Sequence, residues 1–529
     1  MKHFLIYILI LFVGISCQSV QRFNAHLDQE VPAEKLKKDV DYVYKKLKKN
    51  HAKLDLYLPQ SKIEFKFDSL KSELNTPLKP NEFYQKIQPI VRQLRHGHTD
   101  VLPLFYRTSK KENKALKNTI GPMSQFSVFW ENDSLYFIHS SIKDSVLKPG
   151  SVILGINGIS PNQLVNKYRD TFYGDGFNET YFENRLNRNF FSYFYKLENH
   201  PKDSILYHLK YKGSNYNYLV LRKTKEEKPN TVKKTAKDTI KIVVPKNEIS
   251  KPKIKNFEFS FDKVQNRYAK SLSFPTNDST FAVLQVQTFA FGDFTKDYKQ
   301  IFELIKSYKV KNLVLDLRNN GGGRLADSYQ LFSYFVPNQN QFLDHQIVAN
   351  KSSIQRVIVD MLPKYTIPIT YPVSWLSYLI TKKDESEQYY IKPALSRIKN
   401  SNPENTFAGN LYVIINGGSY SASAIISSNL KGFNRAYFVG EETGGDANGT
   451  TAGLMPNYQL PNSKLKLQIG TVYLHPKHFS TDTIGHGIFP DKEIKTSFMD
   501  KINKTDPQLR WILNDVKNNN QELKKVVKY

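Results

Sequence analysis

The 529-residue chain contains a single cysteine, Cys17. One cysteine cannot form a disulfide within the chain, and it cannot build a cysteine-ligated zinc or iron–sulfur site. Because Cys17 lies close to the N-terminus, a cysteine nucleophile in the folded body is excluded as well. The lack of other cysteines also suits a chain that crosses an oxidising compartment without relying on disulfides.

Acidic residues are scarce relative to basic ones. The sequence has 76 Lys and Arg against 49 Asp and Glu, which gives a formal net charge of +27 and raises nucleic-acid binding as a possibility. The segment 223–256 alone has eleven Lys, four acidic residues and three Pro, without the aromatic residues of a nucleic-acid site. It is therefore predicted to be a solvated linker or long insertion, able to touch anionic lipid headgroups, and no nucleic-acid partner is expected.

Long apolar runs are missing except at the N-terminus. Residues 1–17 begin with Lys2 and His3, continue with an apolar run over 4–13, and end in small residues before Cys17. A helix that spans a bilayer core of ~30 Å needs about 20 residues, so this run is too short to be a membrane span. The pattern predicts a signal peptide that is removed.

The end of this leader resembles a bacterial lipobox, in which lipid is attached to the cysteine before cleavage leaves it as the new N-terminus. The segment reads Val13-Gly14-Ile15-Ser16-Cys17, and no acidic residue nearby provides an inner-membrane retention signal. The resemblance implies lipidation at Cys17 and an outer-membrane lipoprotein that faces the periplasm, with the membrane as a partner through this anchor. The alternative is an ordinary secretory signal that contains a cysteine by chance.

The rest of the chain divides into four stretches. Residues 30–118 are predicted to form a helical region, since apolar residues recur at spacings of three and four. Residues 119–222 have the shorter patterns of strands, and the Lys-rich segment 223–256 follows. Residues 257–529 alternate strands with helices, which predicts an α/β core. Within this core, residues 351–402 follow no clean period and are predicted to be an inserted subdomain or lid.

A turn and a buried strand are predicted in the second stretch. Residues 147–158 read LKPGSVILGING, in which the Asn157-Gly158 pair is typical of a hairpin turn. The run resembles a segment of bacterial PDZ domains, with Ser151 in place of the usual Asp. PDZ domains bind extended peptides by adding a strand to a sheet edge. The alternative is an ordinary β-hairpin.

Two glycine-rich turns in the α/β core carry the candidate catalytic residues. Asp316-Leu317-Arg318 ends one predicted strand and is followed by Asn-Asn-Gly-Gly-Gly, which lets the backbone approach a ligand and present N–H groups. The sequence lacks the Lys-Ser/Thr ending of a phosphate loop and the spacing of a dinucleotide fingerprint.

The second turn, residues 415–424, reads INGGSYSASA and opens a helix. The dipole and the free N–H groups at a helix N-terminus stabilise negative charge, so a serine at this position is well placed for a reaction in which negative charge develops. Helix capping is the alternative role for these serines, and Ser419 in particular is a candidate for it.

These two turns resemble the signatures of the C-terminal processing (tail-specific) peptidase and tricorn-core family, D-L-R-x-N-x-G-G and S-x-S-A-S-E. Residues 439–446 (VGEETGGD) and 487–491 (GIFPD) match two later motifs in the same order. The resemblance implies a ClpP/crotonase-like β-β-α spiral core and a serine endopeptidase that acts through an acyl-enzyme. It places the nucleophile on Ser421 and the oxyanion N–H donors on Gly322 and Ala422, and it implies no metal or organic cofactor.

The residue expected to act as general base differs from that of the tail-specific branch of the family. The lysine of that branch falls on Asp446, so a Ser/Lys dyad is not expected. A serine hydroxyl needs a neighbouring base to become a good nucleophile. The segment RHGHTD resembles the D-G-H-T motif of the tricorn-like branch, in which the histidine before Thr is the base, and this is His98 here, with His96 in place of the usual Asp. An imidazole suits general-base chemistry near neutral pH.

The residue that orients His98 is left open by the sequence. The tricorn-like branch has a glutamate shortly before the last motif, where this chain has Ile484. Glu442, Asp446 and Asp482 are the candidates for this third member, and Asp100 could orient the ring from its own strand or face water.

Two rival functions follow from the same residues. A zinc site would use His96 and His98, or the later histidines at 475, 478 and 486, but no H-E-x-x-H motif occurs. The second rival is a catalytically inactive peptide-binding envelope protein that keeps the fold and the PDZ-like region. Retention of both Ser421 and His98 favours the peptidase.

Overall fold

A computed structural model describes most of the chain. The described residues are 19–140, 147–198, 203–225, 254–276, 278–337, 342–344, 346–363, 366–391, 404–479 and 481–527. The predicted signal peptide with Cys17, most of the Lys-rich segment 223–256 and the end of the insertion at 351–402 lie outside these ranges.

The N-terminal part is a layer of amphipathic helices. Four of the apolar residues that recur at these spacings, Leu36, Val40, Val43 and Leu47, are fully buried, because spacings of three and four place them on one helix face. The elements of this part are α1 (Val20–Asp28), α2 (Ala33–Asn50), α3 (Gln60–Glu73), α4 (Pro80–Arg92), the short strand β1 (Asp100–Leu102) and α5 (Lys110–Leu116).

An antiparallel sheet follows, covered by short helices. Its elements, with a flanking strand pair, are β2 (Thr119–Ile120), β3 (Phe126–Glu131), β4 (Ser134–Ser140), β5 (Val152–Ile156), α6 (Pro161–Tyr168), α7 (Thr180–Arg185), α8 (Phe191–Glu198), β6 (Ser204–Tyr211), β7 (Ser214–Leu221) and β8 (Lys223–Thr224). The strand order is β3-β4-β5-β6-β7. The predicted turn after β5 is present, since Asn157 and Gly158 have φ of +50° and +83° and Ile156 and Ile159 exchange backbone hydrogen bonds.

The rest of the chain builds the α/β core. Its first half contains β9 (Phe257–Asp262), β10 (Arg267–Ser273), β11 (Phe281–Val286), α9 (Phe294–Ser307), β12 (Asn312–Asp316), α10 (Leu325–Phe335), β13 (Gln346–Val348), α11 (Ser353–Met361), α12 (Ile367–Ile380), β14 (Thr381–Lys383) and β15 (Tyr389–Ile391). Its second half contains β16 (Asn410–Ile415), α13 (Ala422–Gly432), β17 (Tyr437–Gly440), β18 (Thr450–Ala452), β19 (Asn457–Gln459), β20 (Lys466–Gln468), β21 (Val472–Leu474), β22 (Lys492–Glu493), α14 (Phe498–Asn503), α15 (Pro507–Lys517) and α16 (Leu523–Val526).

A seven-stranded sheet forms the centre of this core. The strand order is β22-β17-β16-β12-β11-β10-β9, with parallel pairing from β11 to β22 and antiparallel pairing of β9 and β10. The central strands β12 and β16 are almost wholly buried, as expected for parallel strands covered on both faces. The mixed α/β architecture predicted from the sequence is therefore present.

Two smaller sheets complete the fold, and one of them brings the N-terminal part to the core. The insertion at 351–402 contributes α11, α12, β14 and β15, and its strands join the sheet β14-β15-β13-β21-β18. Strand β1, which directly follows the HGHT segment, pairs with β20 so that Asp100 lies opposite Gln468. This pairing fixes the N-terminal histidines against the core. No helix in the described ranges combines the length and apolarity needed to cross a membrane.

Candidate active site

Ser421 occupies the sharp turn between β16 and α13. Its backbone has φ +58° and ψ −124°, a conformation that costs strain for a residue with a Cβ and that is typical of strand-to-helix turns exposing a nucleophile. Its side chain makes no capping hydrogen bond to α13. The neighbouring Ser419 does not cap the helix either, because its hydroxyl donates to Leu317 O at 2.8 Å and accepts from Asn416 N at 3.1 Å. Ser419 therefore holds the turn. Ser421 is only partly buried, whereas Ser423 is fully buried, so the Ser421 hydroxyl is the accessible one.

Gly322 lies directly beside this serine. A Cβ on Gly322 would be 2.8 Å from Ser421 Cβ and 3.0 Å from Ala422 N, and its φ of +95° also favours glycine. The Gly322 N–H donates to the buried Asn320 Oδ1 at 2.9 Å. The Ala422 N–H stands at the first position of α13, where an N–H has no partner within the helix. Of the two predicted oxyanion donors, Ala422 is thus available and Gly322 is occupied within its own loop.

His98 lies next to the turn that carries Ser421. Its Nδ1 is 2.8 Å from Tyr420 Oη and 3.2 Å from Thr450 Oγ1, and its ring stacks on that of Tyr420 with centroids 4.8 Å apart. Burial and, to a smaller extent, the charge of Arg92 lower the pKa of His98 to about 4, so the ring is neutral at pH 7. Within the described part of the chain, no hydrogen bond joins His98 to Ser421.

A glycine before the histidine makes this approach possible. A Cβ on Gly97 would lie 2.0 Å from Tyr420 Oη, so only glycine lets the two segments meet. The Gly97 N–H donates to Asp175 Oδ1 at 2.9 Å, which ties the segment to the loop before α7.

Asp175 is a buried carboxyl behind Tyr420 and His98. Besides the Gly97 N–H, its Oδ1 lies 3.3 Å from Tyr420 Oη, and no described residue bonds to its Oδ2. Burial raises the pKa of Asp175 to about 7, although hydrogen bonds from the Gly97 N–H and the hydroxyls of Thr450 and Tyr420 oppose this shift. A carboxyl group therefore approaches His98 through the hydroxyl of Tyr420.

The three residues predicted as candidate third members bind elsewhere. Glu442 accepts an N–H of the loop before β22, Asp446 accepts the hydroxyl of Tyr57 at 2.8 Å, and Asp482 is exposed. None of them has a described contact with His98.

Asp100 has a different partner as well. It pairs with the buried guanidinium of Arg92 at 2.9 Å and accepts from Gln88 at 2.8 Å. Tyr420, Thr450 and Asp175, which contact His98 or lie behind it, were not among the residues predicted from the sequence. Two of these three residues had a feature in the sequence that could have pointed to them: Tyr420 adjoins Ser421, and Asp175 lies between two glycines. Thr450 had none.

The charged residues at the end of β12 have a structural role. Arg318 bridges Asp316 and Asp506 with N–O distances of 2.7 Å to each carboxylate. The bridge joins the glycine-rich turn to the start of α15. Asp316 and Arg318 therefore support the loop that carries Gly322, and their charged groups are already engaged in these ion pairs.

The remaining histidines have separate partners. His96 is buried against His51, with ring centroids 4.2 Å apart, and burial lowers the pKa of His96 to about 3. His475 Nδ1 bonds to a backbone oxygen, His478 packs on Phe433, and His486 lies 3.3 Å from a carboxylate oxygen. Within the described ranges, no group of three or more His, Cys, Asp or Glu side chains is arranged to hold a metal ion.

Residues 280–494 match the family model described as peptidase family S41. This range includes the glycine-rich turn and Ser421 but not His98. This part of the chain is therefore similar to peptidase family S41. The predicted resemblance to this family of serine-type peptidases is confirmed.

One curated relative and two solved structures add to the family S41 match. The chain is 24% identical over 183 residues to a tail-specific protease of Haemophilus influenzae, and the match covers 35% of this chain and only 20% of that protein. The structure of mature CPAF is 15% identical and covers 93% of this chain and 98% of its own, with a TM-score of 0.56. The structure of mature CPAF complexed with lactacystin is 16% identical and covers 93% of this chain and 99% of its own, with a TM-score of 0.57. At these identities the two structures show a shared fold, which extends over nearly the whole chain and beyond the residues that match the family model.

Proposed function

We propose that the chain is a serine endopeptidase that hydrolyses peptide bonds of envelope proteins or peptides through an acyl-enzyme. The observation that carries the proposal is the strained turn of Ser421 together with the histidine held by the adjacent Tyr420. The two residues are 323 positions apart in the sequence (421 − 98), and each is predicted independently from its motif.

Ser421 attacks the peptide carbonyl, and His98 Nε2 takes its proton. The tetrahedral intermediate expels the amine, to which His98 returns the proton, and a water molecule then hydrolyses the ester by the same route. A neutral imidazole is the form that accepts a proton, which agrees with a pKa of about 4. Rotation of the Ser421 hydroxyl or a small approach of the imidazole completes the hydrogen bond, since such bonds tighten when substrate is bound.

Tyr420 and Asp175 are positioning residues for the base. With the proton of neutral His98 on Nδ1, the ring donates to Tyr420 Oη, whose own proton is donated to Asp175 Oδ1. This arrangement leaves Nε2 unprotonated and ready to act. When the imidazolium forms, the carboxylate stabilises its charge through the tyrosine hydroxyl, in the role that a direct carboxylate has in other serine peptidases.

Ala422 N–H is the first oxyanion donor. It lies at the positive end of α13, where developing negative charge is stabilised. The Gly322 N–H is the second donor once it releases Asn320 Oδ1, which the developing oxyanion outcompetes because it is the stronger acceptor.

The surrounding regions suggest how the peptidase meets its substrate. We assign the core to a ClpP/crotonase-like spiral and the sheet β3–β7 to a PDZ-like domain, whose edge strands β3 and β7 offer backbone groups to an extended peptide. In this proposal the domain captures a substrate C-terminus or gates the cleft.

The proposed location is the outer membrane, with lipid on Cys17 and the body in the periplasm. The leader pattern of residues 1–17 supports this, as does the similarity to a tail-specific protease. Incorporation of an alkyne fatty acid in a bacterial host, compared between wild type and Cys17→Ser, tests the anchor. Label in wild type that disappears in the variant supports it, and equal label in both refutes it.

The second candidate function is an inactive peptide-binding envelope protein. Two observations favour it: Asp446 stands where the tail-specific branch has its lysine, and His98 has no described hydrogen bond to Ser421. The two functions differ in whether Ser421 is reactive.

Labelling with a fluorophosphonate probe decides between them. Wild type is compared with Ser421→Ala, His98→Ala and Ser423→Ala, each checked for folding by circular dichroism. Ser423 is the matched control, because it lies two residues further along, is buried, and its hydroxyl has no described partner. We expect labelling of wild type and Ser423→Ala and loss in the other two. Absence of labelling in folded wild type favours the inactive protein.

A further inference from the structure

Helix α12, in the insertion at 351–402, presents large apolar side chains to solvent. Six of its 14 residues are exposed by between 48% and 73%: Tyr371, Val373, Trp375, Leu376, Leu379 and Ile380. Met361 and Leu362, at the end of the adjoining α11, are exposed by 50% and 38%. A soluble surface rarely groups so many apolar side chains, so this face is expected to be covered by something.

The helix buries its small polar residues and exposes its apolar ones. Ser374 and Ser377 are buried, as is Thr381 just after the helix. Their hydroxyls donate to backbone oxygens three or four residues earlier, with distances of 2.6, 2.5 and 3.0 Å. The polarity is the reverse of that of a surface helix in a globular protein. Because these hydroxyls bond to their own helix, the inner face is satisfied without polar partners, and the large apolar side chains are left on the outer face.

The length and ends of the helix point to the bilayer surface. Residues 366–381 contain no charged residue, and Lys382 and Lys383 follow at once. At 1.5 Å per residue, 14 residues extend over about 21 Å, less than the ~30 Å bilayer core, so the helix cannot cross it. Trp375 and Tyr371 are the side chains that favour the headgroup region, and the two lysines can extend to it.

We propose that the exposed face of α12 docks on a lipid bilayer and lies in its interfacial region, bringing the insertion against the membrane. The protein's net charge of +27 favours an anionic bilayer. A protein partner fits less well, since the face offers almost no groups for the hydrogen bonds of a protein interface. This inference does not depend on the proposed peptidase activity.

Quenching of Trp375 by brominated phospholipids tests the proposal on the full chain. Phosphatidylcholine–phosphatidylglycerol vesicles are used, with Trp375→Phe as the reference. Of the three tryptophans, Trp130 is buried and Trp511 is partly buried, so the difference between the two proteins reports on α12. We expect quenching in wild type that is largely absent in Trp375→Phe. Equal quenching in both overturns the proposal, even if the N-terminus holds the chain to the vesicles.

A pair of double variants separates this face from general surface apolarity. Leu376→Gln with Leu379→Gln removes apolar groups from α12, and Leu219→Gln with Leu221→Gln does the same on β7, whose two leucines are 53% and 54% exposed. Because transfer of a leucine side chain from water into lipid is favourable, we expect about a 10-fold or greater loss of the vesicle-bound α12 conformation only in the first variant. If the first variant instead turns a dimer into a monomer and leaves quenching unchanged, the face joins two copies and the lipid proposal fails.

Discussion

The hydroxyl of Tyr420 lies 2.8 Å from Nδ1 of His98 and belongs to the residue that immediately precedes Ser421. The turn that exposes the proposed nucleophile therefore also holds the proposed base. Since Gly97 leaves no room for a Cβ beside this hydroxyl, the contact is built into the backbone of both segments. The second contact of Tyr420, with Asp175 at 3.3 Å, extends the arrangement to a buried carboxyl.

Replacement of Tyr420 by Phe is expected to slow catalysis without weakening substrate binding. The ring still stacks on His98, but the hydroxyl that fixes Nδ1 is lost. A loss of about 1–3 kcal/mol corresponds to an about 5–150-fold lower kcat, with little change in KM. Tyr181→Phe is the matched control, because its ring packs 5.1 Å from Tyr420 and its hydroxyl has no described hydrogen bond. Steady-state kinetics on a peptide substrate measures both. An unchanged kcat in Tyr420→Phe would remove Tyr420 from the mechanism.

Asp175 is expected to shape the pH dependence of kcat/KM. Its pKa is raised to about 7, so activity should rise as the carboxyl ionises through neutral pH and can stabilise the imidazolium. His98, with a pKa lowered to about 4, becomes protonated only in more acidic solution, where activity is lost altogether. Asp175→Asn should abolish the inflection near pH 7 and keep the acid limb. A profile identical to that of wild type contradicts the role given to Asp175.

The same carboxyl predicts a dependence of stability on pH. The pKa of Asp175 is raised in the folded state from 3.8 to about 7, so its contribution is fully present below pH 3.8 and is lost as the pH rises through 7. Between pH 5 and pH 8 the free energy of unfolding of wild type should therefore fall by about 2 kcal/mol relative to Asp175→Asn. Urea unfolding of both proteins at the two pH values measures this difference, and parallel behaviour would refute the raised pKa.

The α/β core was predictable because its patterns are local. The apolar run of β12 (Asn312–Asp316) and the amphipathic period of α9 (Phe294–Ser307) are both visible in the sequence. Fully buried strands read as apolar runs, and an amphipathic helix has its own period. In the insertion at 351–402, α12 has no clean period because apolar residues occupy most of its positions around the helix. The adjoining α11 is amphipathic, and the prediction missed this helix.

The candidate site was predictable only where a motif carries it. Ser421 and His98 are recognisable from their neighbours in the sequence. The placement of His98 beside the turn that carries Ser421 depends on the pairing of β1 with β20 and on the position of Thr450 at the start of β18, neither of which has a sequence signature. Asp175 reaches the site from a loop with no motif. Glu442, Asp446 and Asp482 were chosen by their position along the chain, which says little about distance in the fold.

The strain at Ser421 predicts a stability difference between two inactive variants. Ser421→Ala keeps a Cβ at φ +58°, whereas Ser421→Gly relieves it. Strain of this kind costs about 1–3 kcal/mol, part of which the greater freedom of glycine in the unfolded chain offsets. Ser421→Gly should therefore be about 1 kcal/mol more stable than Ser421→Ala in chemical unfolding. If the alanine variant is the more stable one, the turn is not strained.

Neighbouring glycines in the β12 turn should respond very differently to alanine. A Cβ on Gly322 would lie 2.8 Å from both Ser421 Cβ and Tyr420 O at a φ of +95°, whereas a Cβ on Gly321 would meet open space. Gly322→Ala is therefore expected to displace the nucleophile, abolish fluorophosphonate labelling and lower stability by on the order of 2 kcal/mol. Gly321→Ala should fold with nearly the stability of wild type and retain labelling. Labelling of both variants at the wild-type rate would mean that Gly322 does not pack against the reactive serine, and the oxyanion site proposed between Gly322 and Ala422 would have to be abandoned.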